Sequence, residues 1–243
     1  MGKVLATVSG KGGVGKSTAA VGLGIAFARK GNKVLLVDMD EGLRCLDLML
    51  GADKTAVFDL ADVLSGKEIE DAVYDCAFEE NLYLIPAPAK TGFIDNNALK
   101  DFSVSVKEMF DIIIFDFPAG INLEQYLSLP KDTLFLTVAV PDPVSVRDAS
   151  YLSDALYEKG LKARLIINRF VYKQKKKLRF KNVDEIIDTA SLRLIGIVPE
   201  SDEMSLFTLK HKLPKRSKVF KAFSRISDRL EQKSILLPKI KKI

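Results

Sequence analysis

The chain has 243 residues, of which 47% are hydrophobic, and it carries a formal net charge of +5. This length supports one large core or two small ones, and the most apolar stretches, DIIIFDFP and TLFLTVAVP, are strand-sized and too short to span a membrane. Cys45 and Cys76 form no CxxC pair, so the sequence indicates neither a zinc site nor a disulfide framework and predicts a reducing, cytoplasmic setting.

Short β-branched runs alternate with amphipathic stretches along the chain. The runs predict strands at 3–8, 34–38, 82–86, 111–116, 133–140, 163–168 and 194–198. The stretches predict helices at 17–30, 57–64, 99–110, 144–159, 182–190 and 215–233. The strands are almost continuously apolar, which is typical of a sheet covered on both faces. We therefore expect an α/β fold with a doubly wound, mostly parallel sheet of seven or eight strands, formed by one domain over residues 1–233.

The loop after the first predicted strand reads GKGGVGKS and matches the phosphate-binding pattern G-x-x-x-x-G-K-S. Glycine-rich backbone can present converging N–H groups to phosphates, and the N-terminus of the next helix adds positive charge. Lys16 is expected to reach the β- and γ-phosphates, and the Ser17 hydroxyl to hold Mg²⁺. A tight turn without a ligand is the alternative. The predicted nucleotide-binding residues here are Gly10, Lys11, Gly12, Gly13, Val14, Gly15, Lys16, Ser17 and Thr18.

A second lysine in the loop, Lys11, makes the pattern more specific. The stretch SGKGGVGKST resembles the deviant Walker A loop of the MinD, ParA and nitrogenase iron-protein superfamily. The resemblance implies a P-loop NTPase of the SIMIBI type that binds ATP or ADP with Mg²⁺. It also implies that Lys11 crosses the interface of an ATP-dependent homodimer to the partner's phosphates, so that Lys11 and Lys16 are both catalytic. A solvated loop lysine is the alternative for Lys11.

Further segments resemble MinD proteins. LLVDMDEGLRCLDLMLG at 35–51 resembles their switch I, FDFPAGI at 115–121 resembles switch II, and PVSVRD and IGIVPES also match. The resemblance implies an ATPase on the inner face of the cell membrane that positions the division machinery with a regulatory protein partner, a division inhibitor or an ATPase activator. A flagellar-number or polarity ATPase and a ParA-like partition ATPase that binds DNA remain alternatives, of which the DNA-binding one is less favoured.

Three carboxylates follow predicted strands at the edge that holds the loop. Asp38 and Asp116 suit Mg²⁺, a hard cation that keeps several waters, and both are predicted to hold it together with Ser17. By resemblance, Asp40 is the catalytic residue that positions or activates the attacking water. The structural alternative is that such residues cap the next helix or make an Asx-turn.

Other positions depend on the resemblance alone. It implies that Asn168 and Pro199 meet adenine, and the sequence lacks the N-K-x-D motif of guanine sites. Two residues depart from the family pattern: Cys45 stands where many MinD proteins have Asn, and Phe117 where they have a small residue. His211 is expected at the surface.

Positive charge is concentrated at one end. Residues 210–243 hold twelve Lys or Arg against two acidic residues, which gives this segment +10 and leaves −5 for the rest. The last ten residues, SILLPKIKKI, combine apolar and basic side chains as a membrane-surface segment does, although Pro238 interrupts a helix there. We expect residues 234–243 to contact anionic membrane. The basic stretch at 169–181 is expected to be a solvated loop.

Overall fold

The computed structural model describes residues 2–171, 180, 182–211 and 213–238. Within these residues eight strands form one sheet, in chain order β1 (Lys3–Val8), β2 (Val34–Asp38), β3 (Tyr74–Asp75), β4 (Leu82–Ile85), β5 (Ile112–Asp116), β6 (Leu134–Ala139), β7 (Lys162–Phe170) and β8 (Leu194–Pro199). The helices are α1 (Lys16–Ala28), α2 (Cys45–Leu50), α3 (Leu60–Leu64), α4 (Ile69–Ala72), α5 (Asn96–Met109), α6 (Leu123–Ser128), α7 (Pro143–Glu158), α8 (Val183–Ala190), α9 (Glu203–Lys210) and α10 (Lys218–Leu230).

The sheet has the strand order β3-β4-β2-β5-β1-β6-β7-β8. Neighbouring strands are parallel except β3, which is antiparallel to β4. The first strand therefore lies in the middle, between β5 and β6, and its pairing partners lie far along the chain. This architecture confirms the predicted doubly wound, mostly parallel α/β sheet.

The predicted strands at 3–8 and 34–38 have the observed bounds, and β7 continues to Phe170 instead of ending at 168. Two predicted helices begin too early. The helix predicted at 57–64 begins at Leu60, because Asp59 forms a capping box with Asp62. The helix predicted at 215–233 begins at Lys218, because the Ser217 hydroxyl accepts the Phe220 N–H. Five short elements were not predicted: α2, α4, β3, α6 and α9.

Each face of the sheet is covered by a buried apolar layer, and α1 and α10 share one of them. These helices pack very closely, because a Cβ built at Gly22 would lie 2.3 Å from the Phe223 ring. Ile226 of α10 packs on Gly196 of β8 equally closely, because a Cβ built at Gly196 would lie 2.3 Å from the Ile226 side chain. Two glycines therefore seat α10 directly on α1 and on β8.

Arg229 holds the segment that follows α10. Its Nη1 donates to the Ile195 carbonyl of β8 at 2.7 Å, and its Nε donates to the Ile235 carbonyl at 2.9 Å. Leu236 next to it is 88% exposed. Residues 239–243 of the predicted membrane segment lie outside the described residues, as do 172–179 and 181 of the basic stretch. None of the helices in the described part of the chain is long and apolar enough to span a membrane.

Candidate functional site

The phosphate loop connects β1 to α1 and opens toward solvent. Gly13 and Gly15 have φ of 76° and 89°, left-handed values that side chains disfavour, and a Cβ built at Gly13 meets nothing within 4 Å. Gly15 is the N-cap of α1, and no side chain caps that helix. Its first N–H groups are thus open to an outside acceptor, which fits a phosphate group.

Neighbouring elements fix the shape of this loop. The Ser9 hydroxyl donates to the Lys11 carbonyl at 2.8 Å, and the Gly120 N–H donates to the Ser9 carbonyl at 2.9 Å. On the other side, Asn168 Nδ2 donates to the Val14 carbonyl at 2.8 Å. The loop is therefore held by β7 and by the segment after β5 before any ligand binds.

Lys16 and Ser17, the first residues of α1, lie beside the acidic side chains. The Lys16 side chain is buried, and its charge opposes the rise in pKa of both Asp40 and Asp116. The Ser17 hydroxyl also opposes the rise in the pKa of Asp116, which places it near that carboxylate. One lysine and one hydroxyl thus adjoin the carboxylates at the start of the helix.

Asp38 and Asp116 end two adjacent parallel strands and are paired in register. Thr7 Oγ1 donates to Asp116 Oδ1 at 2.7 Å, whereas the two Asp38 oxygens accept the N–H groups of Asp40 at 2.9 Å and Leu46 at 3.0 Å. Burial raises the pKa of Asp38 to about 7, with a further contribution from the charge of Asp116. Burial also raises the pKa of Asp116. Two adjacent buried carboxylates favour a nearby cation.

This set of oxygen donors fits Mg²⁺ held partly through water. No group of three His, Cys, Asp or Glu side chains among the described residues is arranged to bind a metal directly. Mg²⁺ keeps several waters and takes few protein ligands, so Ser17 with the two carboxylates suits it better than a cation that requires a full protein cage. Thr7, which is fully buried, was not identified from the sequence; the signal that could have revealed it is a single polar residue within the apolar run 4–8.

The titration of Asp38 links pH to the stability of the nucleotide-free protein. Its pKa rises from 3.8 to about 7 on folding, so from about pH 4 to pH 7 the folded state keeps a proton that the unfolded state has released. The contribution of Asp38 to the free energy of unfolding is therefore largest below about pH 4 to 5 and is lost as the pH rises through 7.

Between about pH 5 and pH 8, we expect the free energy of unfolding of the wild type to fall by about 2–3 kcal/mol relative to that of Asp38→Asn. Denaturant unfolding without nucleotide, repeated across this range, measures the difference. Asp101→Asn, at an exposed position of α5, is the control. If the free energies of unfolding of wild type and Asp38→Asn differed by the same amount at every pH, Asp38 would not hold a proton in the folded state.

Asp40 lies half-buried two residues beyond β2. Burial raises its pKa, and the charge of Lys16 opposes that rise. The Asp40 N–H is held by Asp38, and its carbonyl accepts the N–H groups of Leu43 and Arg44 at 3.2 Å each. The carboxylate is thus carried on a tightly turned segment beside the phosphate loop.

Asn168 and Pro199 line one pocket of about 200 Å³. Thr18, Met49, Met204 and residues 200–202 also line this pocket. The structure thus brings both predicted adenine residues next to the loop. Asn168 lies within β7 and not at its end, and its Nδ2 already binds the loop carbonyl of Val14.

The two departures from the family pattern have different surroundings. Cys45 is half-buried at the start of α2, and burial, with the nearby charge of Asp38, raises the pKa of its thiol. Phe117 is fully buried, with its ring 4.9 Å from that of Tyr126 in an edge-on contact, so its bulk belongs to the core. The expectation of a surface histidine is wrong, because His211 is half-buried and stacks on Phe78 at 4.6 Å.

Exposed apolar side chains surround the site. Each follows the carboxyl end of a different parallel strand, so all lie at the same edge of the sheet: Leu43 after β2, Phe93 after β4, Ile121 after β5 and Val144 after β6. Lys11 is exposed at the same edge. An apolar rim around a cation is typical of a surface that binds another protein.

Comparisons with known proteins agree between sequence and structure. Residues 5–215 match the CobQ/CobB/MinD/ParA nucleotide binding domain. The septum site-determining protein MinD of Thermotoga maritima is 33% identical over 98% of this chain and 91% of that protein. The MinC:MinD cell division protein complex of Aquifex aeolicus superposes with a TM-score of 0.83 at 31% identity, covering 98% of this chain and 99% of that chain. The septum site-determining protein MinD complexed with Mg-ADP from Pyrococcus horikoshii superposes with a TM-score of 0.82 at 29% identity, covering 96% of this chain and 97% of that chain.

Proposed function

The chain belongs to the CobQ/CobB/MinD/ParA family of nucleotide-binding domains, and on this premise we propose that it is a Mg²⁺-dependent ATPase of the MinD type. Its ATP-bound dimer would position the division machinery at the inner face of the cell membrane, and hydrolysis would end that state. The observation that carries the proposal is the open phosphate loop beside the paired carboxylates Asp38 and Asp116. The septum-site names of the relatives favour this role over a flagellar one.

The residues of the site suit phosphoryl transfer to water, which depends mainly on alignment and charge stabilisation. The N–H groups of residues 10–18 bind phosphate oxygens, and Lys16 offsets their charge. Ser17, Asp38 and Asp116 would hold Mg²⁺, which would supply charge neutralisation at the phosphates. Asp40 orients the attacking water and accepts its proton.

The dimer proposal is supported by Lys11 and the apolar rim. Lys16 is buried within its own chain, whereas Lys11 is exposed and available to a second copy. The MinC:MinD complex supports a regulatory protein as a further partner. Either partner would cover the same edge of the sheet, because the rim residues lie there.

Binding of residues 234–243 to anionic vesicles tests the proposed role at the membrane. Each lysine near an anionic surface contributes about 1 kcal/mol, so one tail binds weakly, and two tails in one dimer bind together. We expect the protein to sediment with anionic vesicles in ATP but not in ADP, to lose binding as salt rises, and to lose it fully on deletion of 234–243.

Two point variants refine this test. Leu236→Ser should weaken sedimentation because it removes an exposed apolar side chain from the tail, whereas Val57→Ser, at a site 78% exposed elsewhere, should not. Equal binding by the deletion variant would show that another surface is the anchor. Sedimentation with DNA and not with vesicles would favour the ParA-like partition alternative.

A further inference from the structure

Glu41, next to Asp40, is bound by three consecutive backbone N–H groups. Its Oε1 accepts from Phe93 at 2.7 Å and from Ile94 at 3.1 Å, and its Oε2 accepts from Gly92 at 3.2 Å. Gly92 has a φ of 89°, which turns the backbone so that successive N–H groups converge. The carboxylate thus fills an anion-binding turn made by its own chain.

The loop that supplies these donors is anchored to the body of the protein. Ile94 packs half-buried against the apolar layer under α5. Asp95 caps α5, because its carboxylate accepts the N–H groups of Asn97 and Ala98. The turn therefore has a fixed position relative to the sheet, and Glu41 attaches the segment after β2 to it.

A second bond lies beside the first. The Gly42 N–H donates to the Pro88 carbonyl at 2.9 Å, which joins the same two segments. On the opposite side, the Asp38 carboxylate holds the N–H groups of Asp40 and Leu46. Asp40 is thus carried on backbone that is fixed from both sides, by the sheet edge at Asp38 and by the loop at 88–94.

We infer that Glu41 is a positioning residue for hydrolysis: its carboxylate, held by the N–H groups of residues 92–94, fixes the backbone from which Asp40 reaches the phosphate site. This inference rests on the proposed ATPase function. Charge-assisted hydrogen bonds are about twice as strong as neutral ones, so three of them hold a short segment firmly. A shift of about 1 Å in a catalytic group can lower turnover a hundredfold, so the hydrogen bonds that hold Glu41 in place can affect the rate of hydrolysis.

The test separates turnover from nucleotide binding. Glu41→Ala should lower kcat about tenfold or more and change the Kd for ATP less than about twofold, because residues 10–18 stay intact. Glu41→Gln keeps one carbonyl oxygen that can accept from Phe93 and Ile94, so it should recover at least about a third of wild-type kcat. Glu70→Ala, at an exposed position of α4, is the matched control.

Amide hydrogen exchange provides a readout that does not require hydrolysis. In Glu41→Ala, the amides of Gly92, Phe93 and Ile94 should exchange faster than in wild type and in Glu70→Ala. Wild-type kcat in Glu41→Ala, unchanged exchange, or an equal loss of kcat and ATP affinity would each overturn the positioning role. A wild-type protein that binds ATP but never hydrolyses it would instead overturn the proposed function, and the catalytic role of Glu41 with it.

Discussion

Replacement of Lys11 with alanine is expected to abolish ATP-dependent dimerisation and to lower turnover at least about a hundredfold, while most ATP binding remains. A cation supplied across an interface stabilises the charge that develops in phosphoryl transfer, and its loss costs orders of magnitude in rate. Lys11 is exposed in the single chain, so its own loop does not depend on it. Light scattering, steady-state hydrolysis and isothermal titration with ATP measure dimerisation, turnover and binding in turn.

Lys16→Ala provides the contrast. Lys16 is buried beside the phosphate loop, and loss of a charged hydrogen bond of about 1.5–3 kcal/mol should weaken ATP binding roughly tenfold to a hundredfold. Lys159→Ala, an exposed lysine at the end of α7, should leave binding and turnover unchanged. If Lys11→Ala and Lys16→Ala lost ATP affinity equally, Lys11 would belong to the pocket of its own chain.

Asp40→Ala should trap the ATP-bound dimer. Removal of a catalytic acid or base lowers turnover by about a hundredfold or more, and the nucleotide that holds the dimer then persists. Light scattering should give twice the monomer mass with ATP and Mg²⁺, and the monomer mass with ADP. Asp101→Ala, at an exposed position of α5, serves as the control and should hydrolyse ATP at the wild-type rate. A monomer at saturating ATP in Asp40→Ala would refute the dimer in which two copies enclose nucleotide.

The phosphate loop and the carboxylate pair could be predicted because their residues depend on local pattern. The loop is contiguous, and β2 and β5 end at Asp38 and Asp116, as the apolar runs indicate. Parallel strands bring such ends to one edge of a sheet. The short elements were missed because α2, α4 and α6 have six residues or fewer, too few for helical periodicity to be visible.

The contacts that hold the site could not be predicted, because each joins distant parts of the chain. The Asn168 amide reaches the Val14 carbonyl because the sheet order places β7 close to β1 and its loop, and Glu41 reaches Gly92 because two loops meet. Neither residue has a neighbour in sequence that indicates its partner. His211 was misjudged for the same reason, since Phe78 packs on it from a distant hairpin.

The central position of β1 has a consequence for how the protein is made. Translation delivers the phosphate loop early, but β1 pairs with β5 and β6, and α1 packs on α10 through Gly22 and Phe223. At about 5–20 residues per second, the ribosome needs on the order of ten seconds or more to reach α10. A nascent chain that does not yet include α10 has the ATP-binding motif without all the strands and helices that support it. The proposed dimer is therefore expected to form only after each copy is almost completely synthesised.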